Sequence, residues 1–142
     1  MARHQPQTAP DTPRRLDASI RATRTAAWQA RGALRRLALP GSLGDDAELL
    51  VSELVTNSVR HAGLRPDDLI RITADWSGER LKVAVRGGRR VPPAVVSGSI
   101  RPAPGAESGW GLYLVNRLAS RWGTAAGGYW FELRSEQPGQ GR

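Results

Sequence analysis

The chain has 142 residues, enough for one domain with a single core. It has no cysteine and two histidines, which excludes disulfides, thiol nucleophiles and thiolate metal sites and leaves no ordinary zinc ligand set. The net charge is +8, but Lys82 is the only lysine among 21 basic residues and the arginines are dispersed along the chain, so the charge reads as compositional and nucleic-acid binding is not expected.

Residues 1–16 are rich in Pro, Gln, Thr and Arg, with little to bury, and read as a flexible tail. They lack the apolar stretch of a secretory signal, and no run approaches the roughly 20 apolar residues of a membrane span, so a cytoplasmic location is expected. From Asp17 to Leu39 the spacing reads as helical, with Ile20, Thr23, Ala27, Ala30, Leu34 and Leu37 near one face and Trp28 at its edge. Pro40-Gly41-Ser42 ends this helix. Asp45 and Asp46 open a second one, placing negative charge at the positive end of its dipole. Its buried stripe is predicted to be Ala47, Leu50, Val51, Leu54, Val55, Ser58 and Ala62, with Gly63 as the stop.

LIRITADW (69–76) and RLKVAVR (80–86), separated by Ser77-Gly78-Glu79, read as a hairpin with one buried face. The stretch 92–109 is dense in Pro, Gly and Ser, and a connection that long inside a small domain points to function or disorder. A third helix is predicted from Gly111 to about Arg121, burying Leu112, Val115, Leu118 and Ala119. Two short strands follow around Ala126-Gly127-Gly128, and residues 135–142 read as a second tail. The expected fold class is an α/β two-layer sandwich, with the helices on one face of a mostly antiparallel sheet formed by residues 17–134.

The second helix carries two polar residues, Glu53 and Asn57, one turn apart at the boundary of its apolar stripe. An amide oxygen is a hard ligand suited to Mg²⁺, and a carboxylate one turn away is placed to take a proton from an attacking hydroxyl or water. Glu and Asn at this spacing are also common on solvated helix faces. Ahead of the third helix stands Glu107-Ser108-Gly109-Trp110-Gly111-Leu112. Glycines let a main chain approach a ligand closely, and the free N–H groups of a helix start favour an anion such as a triphosphate. The plainer reading is an ordinary loop-to-helix turn. His61, one turn past Asn57, suits a surface or capping role. Ser52 and Thr56 have no base in a triad arrangement, so a hydrolase is not expected. Trp28, Trp122 and Trp130 fall in apolar patterns and are expected in the core, whereas Trp110 is expected over the pocket or a partner surface.

VSELVTNSVRHA resembles the N box of the GHKL ATPase superfamily, which includes gyrase and the histidine kinases. DDAELLVSELVTNSVRHAG, then ESGWGLYLVNRLASRWG, then YWFELR, is similar to the anti-sigma regulatory serine/threonine kinases of actinomycetes. The resemblance covers residues 17–134. It implies a Bergerat ATP-binding fold that takes Mg-ATP beneath a lid at about residues 91–108. It implies Asn57 as the Mg²⁺ ligand, Glu53 as general base, and Gly109, Trp110, Gly111 and Leu112 beside the phosphates. The implied activity is transfer of the ATP γ-phosphate to a serine or threonine of an anti-anti-sigma antagonist, which controls a sigma factor by partner switching. Relatives of this type often pair as homodimers, so the resemblance allows a homodimer.

The chain departs from that pattern at one position. The family places an adenine-reading aspartate just after the second hairpin strand, and here that position is Gly87. Losing a charge-assisted hydrogen bond costs about 1.5–3 kcal/mol, roughly ten- to a hundredfold in affinity. The alternative expectation is therefore a degenerate kinase that holds its partner without chemistry.

Overall fold

A computed structural model of the chain describes residues 12–61, 63–87, 110–125 and 127–135. In chain order these form β1 (Arg14–Arg21), α1 (Ala26–Arg35), α2 (Ser42–His61), β2 (Leu69–Trp76), β3 (Arg80–Gly87), α3 (Trp110–Leu118), β4 (Arg121–Ala125) and β5 (Gly128–Arg134). The five strands make one sheet in the order β1-β2-β3-β5-β4. All four pairings are antiparallel.

The architecture is the expected α/β sandwich, with one correction at its start. Residues 14–21 are a strand, not the opening turns of a helix, and the strand begins inside the segment read as an N-terminal tail. The deciding signal is a period of two. Leu16 and Ile20 are buried with Ala18 half-buried between them, while Arg15, Asp17, Ser19 and Arg21 point the other way. The helix begins only at Ala26, after a turn at 23–25 in which Ala26 N donates to Thr23 O at 3.1 Å. Arg14 then reaches back to the end of α1. Its guanidinium donates to the carbonyls of Leu37 and Ala38, where positive charge suits the helix C-terminus and Ala38 turns the chain at φ 48.

The same phase error misplaced Trp28, which is 67% exposed. Small residues Ala26, Ala30 and Ala33 set the inner face of α1 and let it pack closely on α2. Trp28 lies two residues from both Ala26 and Ala30, about 200° of helix rotation from each. Trp122 and Trp130 are half-buried rather than core residues. The tryptophan that the core does enclose is Trp76. Leu118, expected inside, is partly exposed at the end of α3, and Arg121 opens β4 instead of closing that helix.

One face of the sheet holds the core. Ile70, Ile72, Ala74 and Trp76 of β2, Leu81, Val83 and Val85 of β3, and Phe131 of β5 are fully enclosed beneath Leu50, Val51, Leu54 and Val55 of α2. The three helices lie on that face. Phe131 is in register with Val83 on one side and Trp122 on the other, at the middle of the layer. Phe131→Ala should therefore cost about 3–5 kcal/mol, measured as a shift of the urea midpoint with an unchanged slope.

Candidate functional site

The α2 helix is 20 residues long, and Ala47, Leu50, Val51, Leu54, Val55 and Ser58 form its buried stripe. Ala62 lies outside the described residues. Glu53 and Asn57 are half-buried beside that stripe, at the rim of the core. The neighbouring hydroxyls are structural. Arg31 of α1 donates to Ser52 Oγ at 2.6 Å, Thr56 Oγ1 donates to Ser52 O at 2.8 Å, and Ser58 Oγ donates to Leu54 O at 2.9 Å. These bonds tie α2 to α1 and to itself, and they leave the Glu53 and Asn57 side chains outside the framework. His61 is the last residue of α2, and its side chain lies outside the described set.

Topology decides what faces this pair. The α2 helix ends where β2 begins, and the start of β2 is level with the end of β3, because Ile70 is the register partner of Gly87. The C-terminal half of α2 and Gly87 therefore share one end of the molecule. At the opposite end, Leu118 at the close of α3 lines a cavity of about 830 Å³ together with Gly41, Leu43 and Asp46 at the start of α2. The α3 helix packs on α2, and its 9 residues span about 13 Å. Laid back along α2 from that cavity, the start of α3 comes level with the middle of α2, where Glu53 lies. The start of α3, far from α2 in the chain, thus comes level with Glu53 along the axis of α2. The 830 Å³ cavity itself contains none of the predicted site residues.

The helix α3 begins at Trp110, so Gly111 sits within its first turn and not ahead of it. Leu112 is half-buried against the core. Gly109 and the expected lid at 91–108 lie outside the described residues, as do the side-chain surroundings of Trp110. The first N–H groups of a helix have no partner within it, and they carry the positive end of its dipole.

Gly87 closes β3 on the same face as Leu81, Val83 and Val85, so a side chain there would point toward the helical layer. A Cβ at this position would lie 3.0 Å from Ile70 Cγ1 and 3.4 Å from Leu64 Cδ1. The floor of the site is therefore apolar at the position where the family resemblance expects a carboxylate. Sequence reading missed Leu64 and Ile70 as its walls, because neither carries chemistry of its own. It also missed Tyr129, which is buried in register with Val85 at this end. Burial pushes the Tyr129 hydroxyl above its ordinary pKa, so it stays protonated, able to donate or accept a hydrogen bond.

Residues 16–129 match the model of the histidine kinase-like ATPase domain. The chain belongs to that family. The match spans β1 through the first residues of β5, and so takes in α2, the end of β3 and the start of α3. Nothing among curated proteins matches the chain. A histidine kinase-like ATPase domain binds ATP, usually with Mg²⁺. The donor set fits that metal. Among the described residues no group of three or more His, Asp or Glu side chains is placed to cage an ion, and Asn57 offers one hard oxygen at the rim of the site. Mg²⁺ is commonly held by one or two protein oxygens, with phosphates and water completing the shell. Among the described residues no helix is long and apolar enough to cross a membrane.

Gly87→Asp tests the missing acceptor. The substitution should tighten ATP binding about ten- to a hundredfold. It should also cost the free protein about 1 kcal/mol, because Ile70 and Leu64 must give by a few tenths of an ångström. Calorimetry and thermal melts with and without ATP read the two effects separately. A destabilised protein with unchanged ATP affinity would mean that position 87 does not face the base.

Proposed function

We propose that this histidine kinase-like ATPase domain is an anti-sigma regulatory serine/threonine kinase. It transfers the ATP γ-phosphate to a serine or threonine of an anti-anti-sigma antagonist and so controls a sigma factor by partner switching. The observation that carries the proposal is the family match over residues 16–129, which takes in Glu53 and Asn57, both half-buried at the rim of the core, in a chain whose N-box and glycine segments resemble that subgroup. Glu53 takes the proton of the incoming hydroxyl, whose oxygen bonds to the γ-phosphorus as the bond to the ADP oxygen breaks. Asn57 is the residue that would hold Mg²⁺, which, when bound, offsets charge on the phosphates. The main-chain N–H groups at the start of α3 face the remaining phosphate oxygens. The half-buried setting of Glu53 keeps it beside the core yet open to a substrate.

A second reading rests on Gly87 and its apolar walls: a domain that captures its partner by surface contact alone, without phosphoryl transfer. One experiment separates the two. The kinase reading expects ATP binding that requires Mg²⁺, and transfer of label from γ-labelled ATP to a serine-bearing antagonist, with transfer lost in Glu53→Ala. The capture reading expects partner binding that is indifferent both to nucleotide and to Asn57→Ala. Absence of any Mg-ATP binding by calorimetry would sink the first.

A further inference from the structure

The face of the sheet turned away from the helices carries a second feature. Strand register lays its residues out in rows. One row crosses all five strands as Arg15, Asp75, Lys82, Glu132 and Arg121, alternating in sign. The next is nearly neutral and, apart from Trp130, small, running Asp17, Thr73, Ala84, Trp130 and Gly123. The Trp130 ring lies against Gly123, where a Cβ would come within 3.0 Å of its Nε1, and Lys82 Nζ stands 5.1 Å from the ring centroid. Beyond these rows lie only cations among the charged residues: Arg71 and Arg86 on one side, Arg80 and Arg134 on the other, and Arg21 at a corner. Among the described residues this face therefore holds eight cations against three carboxylates, a surplus of five in a chain whose total is +8. The basic residues that look dispersed in the sequence are collected by the period of the strands.

This arrangement costs stability. Arg71 and Arg86 are direct cross-strand partners, and so are Arg80 and Arg134; like charges in that position destabilise a sheet. The three carboxylates relieve only part of it. Asp17 bonds Arg71 at 2.6 Å and is held below its ordinary pKa chiefly by that bond, Asp75 bonds Arg15 at 2.7 Å, and buried Glu132 lies 4.0 Å from Arg80. Arg21, Arg86, Arg121 and Arg134 have no acidic partner among the described residues. Strands lie about 4.8 Å apart and rise about 3.3 Å per residue, so Arg21 and Arg86 near one end of the face, and Arg121 and Arg134 near the other, form two pairs each within about one Debye length, roughly 10 Å at 0.1 M salt. The potentials add within each pair, and the pairs stand roughly 15–25 Å apart.

We infer that the bare face of the sheet is a docking surface for an acidic protein partner, which seats on the Thr73–Ala84–Trp130–Gly123 row with its carboxylates against the flanking arginines. The inference does not depend on whether the nucleotide site is catalytic. A nucleic acid fits less well, because Asp17, Asp75 and Glu132 are interleaved with the cations, and the single tryptophan already lies against Gly123 and offers no platform for successive bases. A second copy of the chain fits worst, since it would oppose one surplus of five with another.

The test uses the full chain and a labelled 20-residue peptide of glutamate and alanine, read by fluorescence anisotropy at low and moderate salt. Arg86→Ser, Arg121→Ser and Arg134→Ser combined should weaken peptide binding at least tenfold. Arg24→Ser, Arg36→Ser and Arg65→Ser remove the same charge from exposed positions elsewhere, and combined they should weaken it less than threefold. Equal losses in the two triple variants, or no binding by the unaltered chain, overturn the inference. Tighter binding of a 20-nucleotide single strand, lost in the first triple variant, also overturns it and assigns the face to nucleic acid. A dimer in sedimentation that the first triple variant dissolves overturns it in favour of self-association.

Discussion

Asn57→Ala is expected to lower the affinity for Mg-ATP about ten- to a hundredfold, the worth of one interaction with a charged group, about 1.5–3 kcal/mol. The fold should survive it. The hydrogen bonds that hold this stretch of α2 among the described residues run through Ser52, Thr56 and Ser58, and the core contacts run through Leu50, Leu54 and Val55. Glu53→Gln should behave differently. An amide preserves size and polarity but accepts no proton, so nucleotide binding should stay within about threefold while phosphoryl transfer falls by about 10²–10⁴. Calorimetry gives the first number and label transfer the second. A Glu53→Gln protein that transfers phosphate at the parent rate would remove the general-base assignment while leaving the binding site in place. An Asn57→Ala protein that binds Mg-ATP as tightly as the parent would remove the metal assignment.

Those predictions rest on a part of the fold that was legible in the sequence for a physical reason. The apolar stripe of α2 recurs with helical period over about three turns, from Ala47 to Ser58, so the phase of Glu53 and Asn57 against it is over-determined, and the structure finds both beside the stripe. The hairpin of β2 and β3 was equally plain, because Leu81, Val83 and Val85 alternate with Lys82, Ala84 and Arg86. The first strand was not. Ile20, Ala27, Ala30 and Leu34 fall near one helical face by accident of spacing, and that longer pattern masked the shorter alternation of Leu16, Ala18 and Ile20. What makes 14–21 a strand is a partner 48 to 62 residues later: Arg14 to Arg21 pair in register with Trp76 to Leu69. No local propensity encodes such a pairing. The charge on the bare face was hidden for the same reason. Arg80 and Arg134 are remote in sequence and adjacent only once β3 and β5 have paired. At the site, the apolar walls around Gly87 come from Leu64 and Ile70, whose part depends on where the turn after α2 lays them.

Gly128→Ala should be the most damaging glycine-to-alanine change among the described residues. A Cβ there would lie 1.8 Å from Val85 O, 2.8 Å from Val85 C and 2.9 Å from Arg86 Cα. All three are backbone atoms of the central strand, and Val85 is itself paired to Ile72 on the other side, so β3 cannot retreat without breaking its ladder with β2. The expected loss is at least about 3 kcal/mol, the upper range for overpacking. Gly123→Ala is the control. A Cβ there meets only the Trp130 ring, at 3.0–3.1 Å, and a half-buried side chain on an open face can swing aside, so the cost should be no more than about 1 kcal/mol. The two variants also separate an effect on the nucleotide site from an effect on the face away from the helices. Gly87 N donates to Gly127 O at 3.0 Å, so a shift of the turn before β5 is passed directly to the end of β3 and to the floor of the nucleotide site. Gly128→Ala should therefore lose ATP affinity along with stability, whereas Gly123→Ala should bind ATP as the parent does and change only what the bare face holds. Chemical denaturation and ATP titration of both proteins give the comparison. Equal stability in the two variants would show that β5 does not pass as close to Val85 as this register requires.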